Sequence, residues 1–110
     1  MNARTNPSPP IETVRGLVHK LAPLLIRAAL NVTVDSRGVV EVRNPRDIRM
    51  KQPLVIREHE GDLWWCWVWS GPTRNALPEY EPMVLADDFD EAARRIVNVL
   101  RIEEPAGAER

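Results

Sequence analysis

The spacing of apolar residues is helical near both ends of the chain and alternating in the middle. From Pro10, the positions Ile11, Val14, Leu17/Val18 and Leu21 recur at three- and four-residue steps, and a proline at a helix start gives up an N–H that has no partner there anyway. A first helix follows. Pro23 should kink or break it, because a mid-helix proline removes a backbone bond and clashes with the preceding turn, and the helical pattern should end near Leu30. Near the other end, Phe89, Ala92/Ala93, Ile96 and Val99/Leu100 form a second stripe. Asp88 and Glu91 resemble a capping pair, acidic residues crowd the positive start of the helix, and Asp90 with Arg94 and Glu91 with Arg95 offer i,i+4 ion pairs.

Between the helices, NVTVDSRGVVEVRNP reads as a hairpin around Ser36-Arg37-Gly38, with glycine where a positive φ is needed. That loop length pairs Val34 with Val40 and Val32 with Val42, so four valines share a face opposite Thr33, Asp35, Glu41 and Arg43. PLVIREHE and DLWWCWVWS form a second hairpin, turning at Glu60-Gly61 or Gly61-Asp62. The two turns differ by two positions in pairing, so either choice leaves the faces unchanged. Leu54, Ile56, Leu63, Trp65, Trp67 and Trp69 share the side expected to pack under helices. Val55, Arg57, His59, Trp64, Cys66 and Val68 share the more exposed one. Residues 70–82, SGPTRNALPEYEP, read as a long loop, and Met83-Val84-Leu85 as a possible short last strand starting or edging the sheet after Pro82. The order predicts an α+β fold: an antiparallel sheet of four to five strands with the N-terminal and C-terminal helices on one face.

A chain of 110 residues suits a single domain, expected over residues 10–102, with polar, proline-bearing tails at 1–9 and 103–110 expected to be disordered. Composition, 44% hydrophobic and 28% charged, is that of an ordinary globular chain. One cysteine, Cys66, and two histidines, His19 and His59, exclude an intramolecular disulfide and an all-Cys/His zinc site, so no metal and no cofactor is expected. MNARTNPSPP has no apolar signal core, and LAPLLIRAAL is interrupted by Pro23 and Arg27, so neither secretion nor membrane insertion is expected and a cytoplasmic setting fits. The net charge of -1 hides an asymmetry: residues 1–57 carry ten basic and four acidic groups, residues 58–110 five basic and twelve acidic. Opposed charged regions would suit a partner or another copy of the chain.

All four tryptophans lie between Trp64 and Trp69. Trp65 and Trp67 should fill the core, whereas Trp64 with Val55, Cys66 and Val68 would form an interface on an uncovered sheet face. A cleft between Trp69 and the loop residues Arg74 and Tyr80 is a second place for a peptide or small ligand, unless that loop simply covers the sheet edge. The segment 43–51 places Arg43, Arg46, Arg49 and Lys51 where they could touch phosphates, or form a solvated connection between hairpins. Asp87, Asp88, Asp90 and Glu91 are explained by helix-start chemistry without a metal. Cys66 and His59 hold the minimum for nucleophilic catalysis, but a cysteine among tryptophans is ordinarily an inert hydrophobe. The architecture recurs in small dimeric adaptors and secretion-type chaperones, and fold alone does not fix function. The expected role is a non-enzymatic protein-interaction module, a homodimer or the partner of another protein, using Val55, Arg57, Trp64, Cys66, Val68, Trp69, Arg74 and Tyr80. The alternative is weak nucleic-acid binding through 43–51.

Overall fold

A computed structural model describes residues 8–69 and 78–101. The expected tails, apart from Ser8, Pro9 and their neighbours at the domain start, and Arg74 with most of the 70–82 loop lie outside the described residues. Helix α1 spans Ile11–Arg27 and runs through Pro23 without a break. An internal proline costs about 3 kcal/mol, but Pro23 faces solvent, and the buried stripe Val14, Val18, Leu21 and Leu25 continues past it. Packing outweighs the lost backbone bond. The helix stops three residues before Leu30. The Leu30 N–H donates to Leu25 O (3.0 Å) and the Ala29 N–H to Ile26 O (2.9 Å), while Ala29 turns left-handed at φ 66°. Buried Leu30 and Leu25 close this cap.

Strands β1 (Asn31–Val34) and β2 (Val40–Asn44) pair in the expected register, Val32 with Val42 and Val34 with Val40. Gly38 takes φ 86°. The Asp35 carboxylate accepts from the N–H groups of Arg37 (2.9 Å) and Val39 (3.0 Å), and the Val39 bond is the main cause holding it below the usual carboxylate range.

The segment after β2 is no free connection: it turns at Pro45-Arg46 and enters β3, a 13-residue strand, Asp47–His59. Asn44 makes this turn and ties it to the second helix. Its Oδ1 accepts from the Arg46 N–H (2.9 Å) and its Nδ2 donates to Leu100 O (2.9 Å). Asn before Pro suits a type I turn, which lacks the glycine signal of the other two hairpins. Strand β4 (Asp62–Trp69) follows a turn at Glu60-Gly61, both residues at positive φ (56° and 87°) as a type I′ hairpin requires. Strand β5 is longer than expected, Glu79–Leu85, so Glu79 to Pro82 belong to the sheet and not to the loop. Pro82 is tolerated because β5 is an edge strand. The sheet is antiparallel in the order β1-β2-β3-β4-β5.

Helix α2 (Phe89–Leu100) is capped by Asp88, which accepts from the Glu91 N–H at 3.3 Å. Glu91 takes both Arg94 Nε (3.0 Å) and Arg95 Nε (2.8 Å), so Arg94 pairs with Glu91 instead of the expected Asp90, and the two guanidinium groups hold the Glu91 carboxyl at about 2. Both helices pack on the face that carries Val40, Val42, Leu54, Ile56 and Trp65. Trp65 is fully buried at the centre, with its indole N–H donating to Ala86 O (3.0 Å).

The helices run in the same direction. Thr13 and Leu17, from the start of α1, line a groove with Leu63 and Asp87 at the β3–β4 turn end. Ala29, at the end of α1, lines a hollow with Asn44, Val97 and Arg101 at the β2–β3 turn end. Acidic Asp62 and Asp87 line the groove at the helix starts, and basic Arg46 and Arg101 the hollow at the helix ends. Each set offsets the helix dipoles.

Ala29 adopts a backbone conformation that favours glycine, so Ala29→Gly should raise stability by about 0.5–1 kcal/mol. Urea denaturation with an unchanged slope and a higher midpoint is the expected result; a lower midpoint contradicts this account of the helix end.

Candidate interaction face

The β3–β4 ladder pairs Val55 with Cys66 and Arg57 with Trp64, and Leu54 with Trp67 and Ile56 with Trp65. These two sets alternate between the faces of the sheet. The helix-free face thus brings together six of the eight residues proposed from the sequence: Val55, Arg57, Trp64, Cys66, Val68 and Tyr80, the last placed opposite Val68 on β5. Trp69 pairs with Glu79 and lies on the other side of the sheet from Tyr80. Trp69 also corrects the expectation that its face is wholly covered. It is 42% exposed and donates its indole N–H to Glu81 Oε1 at 2.7 Å, at the end of β4 remote from the helix starts. Arg74 lies outside the described residues.

The helix-free face is not uniformly open. Val55 and Cys66 are only 1% and 2% exposed, contrary to the exposed face expected for them. They occupy the middle of a five-stranded sheet, where each is hemmed in by cross-strand neighbours, among them Pro82 opposite Cys66. Around this centre the surface opens. Tyr80 is 45% and Leu85 40% exposed, and Trp64, Val68 and Arg57 are half-buried. The Arg57 guanidinium lies 5.0 Å from the Tyr80 ring centroid, which draws a cation against an aromatic face between two strands. Trp64 is held at the hairpin tip: its indole N–H donates to His59 O (3.1 Å) and its ring meets the His59 ring edge-on at 5.6 Å. Leu85 was not singled out from the sequence although its strand was; its place on this face follows from its pairing with Trp64.

Cys66 and His59 share this face but the Arg57–Trp64 pair separates them, about 13 Å at strand spacing. His59 therefore does not reach the thiol. Burial pushes the Cys66 thiol up, a rise only partly offset by the Arg57 backbone N–H and the Arg57 charge. The sulfur lies 3.6 Å from Trp64 O.

The basic segment is part of the β2–β3 hairpin. Arg43 Nη2 contacts Glu41 (2.9 Å), Lys51 Nζ approaches the same carboxylate (3.9 Å), and Arg49 Nε contacts Asp47 (3.1 Å). A phosphate would compete with two carboxylates for three of the four basic side chains. Among the described residues, no helix is long and apolar enough to cross a membrane, and no group of three or more His, Cys, Asp or Glu is placed to hold a metal ion. Comparison of the chain with protein-family models, curated proteins and solved structures finds no match in any of the three.

At pH 8, iodoacetamide should alkylate Cys66 about two orders of magnitude more slowly in the folded protein than in urea, because the folded thiol stays protonated and covered. Equal rates in the two conditions would show an accessible, ionised thiol.

Proposed function

We infer that the protein is a non-enzymatic interaction module whose helix-free sheet face docks another protein chain. The observation that carries this reading is the grouping, on one face with neither helix over it, of aromatic, aliphatic and arginine side chains. Trp64, Val68, Tyr80 and Arg57 surround the closed Val55–Cys66 centre. Interfaces are enriched in Tyr, Trp and Arg, because these side chains add large contact area while keeping a polar or charged end. Arg57 is already aligned by Tyr80, which lowers the ordering cost of bringing it into an interface.

The fold supports this use mechanically. The face is backed by a core in which Trp65, Ile56 and Leu54 are fully buried, so it is a rigid platform. Arg57 and Glu41 lie on it two residues either side of the Val55 pair, so charged groups sit beside the apolar ones and can select the partner's orientation.

Tagged wild-type protein used as bait should retain a stoichiometric partner, either another protein or an untagged copy of itself. Tyr80→Asp and Val68→Ser should each lose at least about 90% of that partner at unchanged melting temperature, as expected when an exposed interface anchor is removed. Equal recovery by wild type and both variants would overturn the assignment of the face.

A further inference from the structure

We propose a second binding site on the opposite face of the sheet, where Trp67 and Trp69 of β4 with Glu79 and Glu81 of β5 take up the guanidinium group of an arginine side chain presented by another polypeptide. The register sets these four residues out as a two-by-two block. Trp67 pairs with Glu81 and Trp69 with Glu79, and cross-strand partners project from the same face. Trp67 packs against the core, whereas Trp69 is 42% exposed and both glutamates are exposed. The Trp69 indole N–H donates to Glu81 Oε1 at 2.7 Å, so the ring is fixed by a bond that ends on a carboxylate. Trp67 supports it from one side, with ring centroids 6.2 Å apart and planes tilted by 38°. A group sandwiched between two rings needs roughly 7 Å, twice the optimal carbon contact. Nothing enters between the indoles, and the far face of Trp69 is the one that receives a ligand.

An indole face attracts cations through its negative quadrupole. Two carboxylates at the edge of the ring add to that attraction, and among the described residues neither Glu79 nor Glu81 makes an ion pair. Guanidinium is the cation that uses both features at once. It is planar and weakly hydrated, so it stacks on an aromatic ring while its N–H fork stays free at the edge to bind carboxylates. An ammonium keeps its water and meets the ring as a point charge, and a quaternary ammonium has no N–H to offer the glutamates. Glu81 has one oxygen engaged by Trp69 and a second left for a donor, and Glu79 stands beside the same ring. A free amino acid is disfavoured, because its own carboxylate would face the same two glutamates. The site lies on the sheet face opposite Trp64 and Tyr80 and is independent of the helix-free docking face.

Titration of the full chain with N-acetyl-arginine methylamide, which carries the side chain without charged ends, tests the site by amide and indole NMR in low salt. The expected result is a saturable shift of the Trp69 indole N–H signal with half-saturation in the millimolar range. The indole signals of Trp64 and of buried Trp65 should stay in place, which separates this site from the helix-free face and reports an intact fold. The lysine analogue should bind at least about threefold more weakly, and the neutral citrulline analogue should give no saturable shift. Glu79→Gln and Glu81→Gln should each weaken arginine binding about two- to fivefold; Glu81→Gln keeps an acceptor for the indole and removes only the charge. Trp69→Ala should abolish binding, read from the backbone amides of Glu79 and Glu81. Equal shifts with arginine and citrulline, equal affinity for arginine and lysine, or unchanged affinity in both glutamine variants would overturn the proposal. So would the absence of any wild-type shift at ~50 mM ligand, well above the range a specific contact requires. Movement of the Trp64 indole alone would refute this site and leave the helix-free docking face standing.

Discussion

One turn decides what each side of this molecule is for. Glu60-Gly61, both residues at positive φ, fixes the register of β3 against β4, and a slip of one residue would exchange every side chain between the two faces. With the observed register, Trp65, Ile56 and Leu54 enter the core, and the Trp65 indole finds a partner in Ala86 O. Cys66, Val55 and Trp64 are thereby committed to the opposite side. Both helices pack on the first face, which leaves the second with no helix over it.

The direction of the helices adds polarity to that platform. Because α1 and α2 run the same way, their positive ends coincide near the β3–β4 turn and their negative ends near Asn44. Acidic residues at the first end and arginines at the second answer this field.

Much of the architecture was legible from period alone: both helices, the two glycine-containing hairpins with their pairings, and the allocation of the tryptophans to alternating faces. Three features were not. Pro23 signals a broken helix, but local propensity yields to the continuous buried stripe on either side of it. The Asn44-Pro45-Arg46-Asp47 turn lacks glycine and follows a charged stretch, so the basic segment resembled a solvated connection although its charges pair within the hairpin. Glu79 to Pro82 has the composition of a loop, and only pairing with β4 makes it a strand and brings Tyr80 opposite Val68. Of the site, the face itself followed from alternation. The closure of its centre did not, because Cys66 has Pro82 of β5 as a cross-strand neighbour, a residue whose composition reads as loop.

The most direct test of the central claim, that the helix-free face docks a protein chain, is hydroxyl-radical footprinting of the wild-type protein alone and in complex with the partner it retains. Trp69 serves as an internal control because it is exposed on the opposite side. The account predicts that oxidation of Trp64 and Tyr80 falls in the complex while that of Trp69 stays constant. Equal oxidation of all three in both samples, or protection confined to Trp69, would contradict it.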